Sequence, residues 1–280
     1  MEPHLAVGVI GAGNMGSALI RGWSRALGPE ARLIVWDKLP GALDRLAGCE
    51  GVSVATSVDR LVAETAFIVL VVKPKDGDEL LRSIAPSLRN DHIVVSAMAG
   101  VELRQLRQAC GPGPALFRVM PNLGVEVGAG MVAVSAEPGK KEDVRIEEAL
   151  RRTADLFDAL GMAAVVPETM LDTVTAVSGS GPALLALAVE GLEDGGVAAG
   201  LPRTTARAFV RRAMLGATRM LVAGEAPAEE LGRCLAPAGD PLGEGLGVLD
   251  QRRVRSAFEE AVVAAAERAR QMRAPSGVGR

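Results

Sequence analysis

Over the first part of the chain the apolar positions fall in short unbroken runs, at residues 5–10, 32–36, 52–55, 67–72, 93–97 and 116–120. Unbroken apolar runs of strand length mark strands buried on both faces, as parallel strands are. Between them lie stretches with helical apolar spacing, at 17–27, 77–87 and 101–110. Strands alternating with helices predict a parallel, doubly wound α/β sheet. Residues 131–135 extend it, 141–160 read as a further helix, and 163–166 as a last strand.

Beyond Pro167 the pattern changes to helices alone: 171–177, 182–199, 203–223, 227–234 and 254–272. Pro182 and Pro227 suit a first helical turn, where the missing N–H costs nothing. Gly200 followed by Pro202 reads as a stop and restart. The segment 236–247 holds six glycines and prolines and is expected to be the most irregular stretch of this half. The tail after Arg273 is expected to be disordered. The chain therefore divides into 1–166, built on the sheet, and 167–280, all helical.

Composition narrows the chemistry. With 280 residues, 49% of them apolar, the chain can bury a substantial core. A net charge of −3 leaves no whole-chain basic footprint, so nucleic acid is not expected as a partner. Charges or glycines interrupt each apolar run, so no membrane span is expected. No charged segment and cleavage site precede the first strand, so no secretory signal is expected. Cys49, Cys110 and Cys234 are odd in number and far apart; they match no metal or disulfide spacing, and a cytoplasmic location follows. The chain has no Tyr, its two histidines are His4 and His92, and no Lys follows Lys141. Chemistry in the second half must use carboxylates, hydroxyls, Arg, Cys234 or backbone groups.

The run Gly11-Ala12-Gly13-Asn14-Met15-Gly16 follows a strand and opens a helix, the context that marks a dinucleotide fingerprint. Gly11 permits the tight turn, Gly13 lets the backbone approach a pyrophosphate, and Gly16 lets helix and strand pack closely. Free N–H groups at the helix start bind the phosphate. The first domain is thus of Rossmann type. Asp37 ends the second strand, where a carboxylate binds the ribose hydroxyls of NADH and repels the 2′-phosphate of NADPH. That favours NADH, although the adjacent Lys38 could instead hold that phosphate. Val72, Lys73 and Pro74 follow the fourth strand, and ligands of such sheets sit at the carboxyl ends of strands.

Further along come Ser96-Ala97-Met98-Ala99-Gly100, Arg118-Val119-Met120-Pro121-Asn122 and Thr175-Ala176-Val177-Ser178-Gly179-Ser180-Gly181-Pro182-Ala183. Glu190, Asp194, Gly195 and Gly200-Leu201-Pro202-Arg203 follow. With the glycine-rich turn and Val72 to Pro74, these motifs in this order resemble the pyrroline-5-carboxylate reductase family almost from end to end. The resemblance implies a nucleotide-binding domain and a helical dimerisation domain interlocked with its partner's, giving a homodimer or an oligomer of dimers. It implies NAD(P)H-dependent reduction of a small cyclic imine, 1-pyrroline-5-carboxylate, to L-proline. It puts Ala97 and Asn122 beside the coenzyme, and Ser178, Gly179, Ser180, Gly181 and Glu190 in the substrate site, with Ser178 and Ser180 as catalytic candidates. The residue inventory agrees. Reducing a ketone needs a proton donor such as Lys, His or Tyr, whereas a protonated imine carries its own proton and asks mainly for positioning and electrostatics.

The chain departs from that family in one loop. Where the family reads Ser-Pro-Gly-Gly-Thr-Thr, this chain has Ala236-Pro237-Ala238-Gly239-Asp240-Pro241. Hydroxyls are lost, Pro241 removes a backbone donor, and Asp240 repels a carboxylate while being able to pair with an imine nitrogen or donate a proton. Asp240 is therefore a catalytic candidate, and Ala238, Gly239, Asp240 and Pro241 substrate-binding ones. A different small imine, or a non-catalytic dinucleotide sensor, are the alternative readings. Leu123-Gly124 replaces Thr-Pro after Asn122, and Ser57 stands where the family often has Asn.

Overall fold

The computed structural model describes residues 6–137, 143–224 and 241–273, apart from the side chains of Pro241 and Arg273. The chain splits into two compact units, Met1–Ser180 with Ala265–Arg280, and Gly181–Ala264.

The first unit is built on eight strands: β1 (Ala6–Ile10), β2 (Arg32–Trp36), β3 (Val52–Val54), β4 (Phe67–Leu70), β5 (Ile93–Ser96), β6 (Ala115–Pro121), β7 (Gly130–Ala136) and β8 (Gly161–Val165). They lie in the order β3-β2-β1-β4-β5-β6-β7-β8. The strands from β3 to β6 are parallel, as expected of buried strands that alternate with helices. β7 departs from the expected pattern: it pairs antiparallel with β6, and β8 then runs parallel to β7. The cause is the connection. Only residues 122–129 separate β6 from β7, too few for the crossover that a parallel neighbour needs.

Helices α1 (Asn14–Leu27), α2 (Pro40–Leu43), α3 (Val58–Glu64), α4 (Pro74–Ile84), α5 (Leu103–Cys110) and α6 (Val144–Asp158) link the strands. Successive strand residues point to opposite faces, and the core divides accordingly. Val9, Val35, Val69 and Phe117 pack with Trp23 and Phe157, while Ile34, Ile68, Leu70 and Leu116 pack with Leu61, Leu81 and Leu106. Trp23 meets Phe157 edge-on at 5.2 Å between ring centroids and donates its indole N–H to the Leu156 carbonyl at 2.8 Å. α7 (Leu171–Val174) also belongs to this unit, with Leu171 packed against Met120 and Ala133. The spacing predicts a helix running on to residue 177; a π-helical turn, Thr175–Gly179, follows α7 instead.

The second unit comprises α8 (Gly181–Ala198), α9 (Arg203–Ala223), α10 (Pro241–Gln251) and α11 (Val254–Arg273) as far as Ala264. The irregular segment expected at 236–247 needs correction, because residues from Pro241 on are helical. Leu242, Leu246 and Leu249 keep helical spacing, and a proline opens a helix without losing a bond; these outweigh the glycines. The expected helix at 227–234, Cys234, and the tail after Arg273 lie outside the described residues. The expectation that no run reaches membrane-spanning length is also corrected: the helical stretch Glu168–Ala198 is long and apolar enough by length and composition.

Candidate active site

Paired registers put Ile10 beside Leu70, Leu70 beside Ser96, and Ser96 beside Arg118, so the carboxyl ends of β1, β4 and β5 are level and β6 runs on past them to Pro121. Strand order reverses between β1 and β4, which is where ligands of doubly wound sheets bind.

The glycine-rich turn sits at that reversal, and each glycine has a distinct reason. Gly11 adopts φ 109°, and a Cβ there would lie 2.6 Å from the Val71 carbonyl oxygen. A Cβ on Gly16 would lie 1.9 Å from the Gly11 carbonyl oxygen. Gly13, by contrast, is exposed and its Cβ would meet nothing within 4 Å. The space left beside Gly13 is what an approaching pyrophosphate needs. α1 begins at Asn14 with Gly13 as its cap, no side chain satisfying its first amides and no acid in its first turn. The N–H groups of Asn14, Met15 and Gly16 thus present a positive helix end to an anion.

Asp37 follows β2, as expected, but its carboxylate is engaged by backbone. Oδ2 accepts from the Ala12 N–H at 2.7 Å and Oδ1 from the Leu39 N–H at 2.8 Å. Asp37 therefore braces the glycine-rich turn from the end of β2. Lys38 pairs with Asp76 at 2.6 Å, on the exposed surface, and this contact raises the lysine's pKa and lowers the aspartate's. Arg45, which the sequence did not single out, donates to Asn14 Oδ1 at 2.6 Å, bringing a guanidinium beside the same turn. Nothing in its local pattern distinguishes it from a surface arginine. Lys73 caps α4 in an extended conformation and is exposed, with Pro74 as the first helical residue and Val72 half-buried before it. Ala97, next to the end of β5, donates its N–H to the Leu70 carbonyl at 2.9 Å. Ser57 caps α3 by accepting from the Arg60 N–H.

At the end of β6, Asn122 Oδ1 accepts from the N–H groups of Gly124 at 3.1 Å and Met131 at 3.4 Å, and its amide nitrogen donates to Ser178 Oγ at 3.0 Å. Ser178 stands in the π-helical turn. Ser180, just beyond it, spends both its N–H and its hydroxyl on the Thr175 carbonyl, at 2.9 and 3.3 Å. Gly179 lies between them, exposed. Arg118 on β6 is fully buried, and its guanidinium meets Glu168 at 2.7 Å. The same carboxylate oxygen accepts from the Leu103 N–H at 2.7 Å. Glu168 thus ties α5 and β6 to the segment that leads to the π-helical turn. Its signal was Arg118 itself, since a charge in an apolar strand demands a partner.

The second unit holds Gly181 and the exposed Glu190. Its buried acid is Glu193, which pairs with Arg211 at 3.0 Å and Arg207 at 3.4 Å. Burial alone would raise the Glu193 pKa, but the two arginines together hold it below the ordinary carboxylate value. Arg211 is exposed on α9 and serves as a counter-ion to Glu193. Asp194 pairs with Arg203. Ala238, Gly239 and Asp240 lie outside the described residues, and Pro241 opens α10.

Residues 168–272 match the family model described as pyrroline-5-carboxylate reductase dimerisation, and residues 6–100 match one described as NADP oxidoreductase coenzyme F420-dependent. A pyrroline-5-carboxylate reductase of Methanosarcina acetivorans is 34% identical over 269 residues, which cover 95% of this chain and 97% of that protein. The corresponding enzyme of Pisum sativum is 33% identical, with 97% of each chain covered. Among solved structures, Plasmodium falciparum pyrroline carboxylate reductase with NADP bound aligns at a TM-score of 0.84 and 25% identity, over 97% of this chain and 99% of that one.

Proposed function

The chain belongs to the pyrroline-5-carboxylate reductase family, and from that premise we propose that it reduces 1-pyrroline-5-carboxylate to L-proline with NAD(P)H, as an oxidoreductase acting on a C=N bond. One observation of the fold carries the reading. Among the described residues, an amide and a hydroxyl, Asn122 and Ser178, meet at the end of β6, and neither titrates near neutral pH. A ketone would leave the developing alkoxide without a proton there, whereas a protonated imine becomes an amine with the proton it already carries.

The residues present fit a dinucleotide: an uncapped helix start, no first-turn acid, and open space at Gly13. When bound, the coenzyme supplies the hydride. Gly11, Gly13, Asn14, Met15 and Gly16 would hold its pyrophosphate, Asp37 a ribose, and Val72, Lys73, Pro74, Ala97 and Asn122 would line the path to the nicotinamide. NADH is the preferred form, because Asp37 brings a carboxylate to the ribose position while Lys38 is already paired with Asp76. Ser178, Gly179, Ser180, Gly181 and Glu190 are the proposed contacts of the imine; the sequence adds Ala238, Gly239, Asp240 and Pro241 as substrate candidates, and Asp240 as a catalytic one. The changed loop also supports a second reading, in which the imine is a different small one.

The functional division is 1–166 for the coenzyme and 167–280 for the substrate and dimerisation. A homodimer is supported by the second unit's own surface. α8 buries Glu193 and α9 buries Ala206, yet Leu185, Leu187, Leu192, Phe209 and Val222 are exposed. Such a surface needs a partner, and a second copy fits the dimerisation model that matches it. The same apolar cover accounts for the hydropathy of α8 without lipid, and the protein works in the cytoplasm. Steady-state assays with a panel of cyclic imines and neutral ketones test the proposal. NADH oxidation is expected with 1-pyrroline-5-carboxylate; turnover of ketones but of no imine would overturn it.

A further inference from the structure

The contact between Asn122 and Ser178 has a direction, and that direction is fixed from behind. Two backbone N–H groups, of Gly124 and Met131, point at one end of the Asn122 amide. Only the carbonyl oxygen can face them, so the nitrogen must face Ser178. A Cβ on Gly124 would lie 3.0 Å from Asn122 Oδ1 and 2.6 Å from the Ala129 carbonyl oxygen, so this turn is closely packed around the amide. Ser178 consequently receives a hydrogen bond at its oxygen. A hydroxyl that accepts in this way becomes a better donor and a poorer acceptor.

The neighbouring hydroxyls differ. Thr175 donates to the Leu171 carbonyl at 2.7 Å and Ser180 to the Thr175 carbonyl at 3.3 Å. Among the described residues, Ser178 alone of these three holds a proton that no protein group receives. A strengthened donor matches an acceptor on the ligand. The nitrogen of a protonated imine is a donor, whereas a carboxylate offers only acceptors.

We propose that Asn122 is a positioning residue that fixes the Ser178 hydroxyl as a donor to the carboxylate of the substrate, not to its nitrogen. The inference rests on the imino-acid reading above. It also gives this chain a carboxylate contact that does not depend on the loop hydroxyls it lacks at 236–241.

A double-mutant cycle with Ser178→Ala and Asn122→Asp tests it. The carboxylate introduced by Asn122→Asp keeps an oxygen for Gly124 and Met131, but its second oxygen must accept from Ser178 and so turns the serine proton inward. The probe is pyrrole-2-carboxylate, a non-reacting planar acid, titrated calorimetrically into the protein saturated with NAD+. Losing a hydrogen bond to a charged group corresponds to an affinity loss of about ten- to hundredfold. Each single variant is expected to show such a loss. The double variant should be no weaker than Ser178→Ala, because without the hydroxyl the amide has nothing to orient. Additive losses would mean that the introduced carboxylate acts by charge repulsion and would overturn the proposal, as would undiminished affinity in Ser178→Ala. Turnover gives a second readout. Contact with the carboxylate raises KM and leaves kcat within about threefold, whereas a fall in kcat at constant KM would place Ser178 at the nitrogen and refute the assignment. Thermal melting of each variant reports folding, and Asn122→Asp carries the test should Ser178→Ala fail to fold. Because binding is measured without chemistry, failure of wild type to reduce any imine would sink the functional reading while leaving this contact to be decided by the titration.

Discussion

Substituting alanine at Gly13 separates the coenzyme function of the glycine-rich turn from its structural function. Gly13 has φ −65° and ψ −165°, a conformation open to any residue, and an added Cβ meets nothing within 4 Å. Alanine is a poorer cap than glycine by about 0.5–1 kcal/mol, and it restricts the unfolded chain by about 0.4–1 kcal/mol in the opposite sense. Stability should therefore change by less than about 0.5 kcal/mol. Coenzyme binding should not be spared. A methyl group filling that space pushes the pyrophosphate off the first amides of α1, and one lost charge-assisted hydrogen bond is about 1.5–3 kcal/mol. The dissociation constant for NADH should rise about ten- to hundredfold. Gly16→Ala makes the contrast, since its Cβ would stand 1.9 Å from the Gly11 carbonyl oxygen, which is backbone and cannot turn away. That variant should lose about 1–3 kcal/mol or more, read as a fall in Tm of several degrees. Quenching of tryptophan emission by NADH and scanning calorimetry measure the two effects. A Gly13→Ala protein that binds NADH as wild type does would refute the assignment of this turn to the pyrophosphate.

The Arg118–Glu168 pair should break asymmetrically. The Arg118 side chain is 2% exposed and that of Glu168 20%, so Glu168→Ala strands a buried cation at a cost of about 3–5 kcal/mol. Arg118→Met leaves a carboxylate that water and the Leu103 N–H still reach, and should cost about 1–2 kcal/mol; equal losses in urea denaturation would contradict this. His92 is buried, its Nδ1 accepts from the Arg89 N–H at 3.1 Å, and burial lowers its pKa, with Arg89 adding to the effect. The unfolded chain then binds the imidazole proton more readily than the folded one. Stability from the neutral ring is full above the unfolded value of about 6.5 and is lost as pH falls through the lowered folded value. His92→Leu should therefore show a shallower loss of Tm than wild type on acidification; parallel curves would refute it. Asp37→Ser should raise the affinity for NADPH relative to NADH, measured as a ratio of dissociation constants, and an unchanged ratio would remove Asp37 from coenzyme selection.

Much of the first unit was legible because burial on both faces leaves a strong mark. Residues 32–36 and 67–70 are uninterrupted apolar runs, and both are strands. Direction was harder to read, because apolar character does not say which way a strand runs; the clue to β7 lay in the short link from β6. α3 escaped notice since its seven residues are too few for a clear period. In the second half, glycine density hid the leucine spacing of α10. Of the site, the glycine-rich turn could be read from local spacing, because its three glycines fall at fixed intervals between a strand and a helix. Contacts such as Arg45 to Asn14 or Glu168 to Arg118 join distant segments and depend on the fold to exist.

The π-helical turn shows why the remaining part of the site could not be read from periodicity. Each helical residue advances by about 100°, and a π-helical turn adds one residue per turn, which re-aims everything after it. The π-helical turn, Thr175–Gly179, runs into the helix-weakening segment Ser178-Gly179-Ser180-Gly181. Thr175 now accepts from Ser180, five residues on, instead of the usual four. Ser178 is left 3.0 Å from the Asn122 amide, which follows the carboxyl end of β6. Small and hydroxyl-bearing residues at this point thus weaken the α-helical pattern and supply the polar group that the new direction exposes. The same short run therefore shapes both the break in the helix and the polar contact beside it.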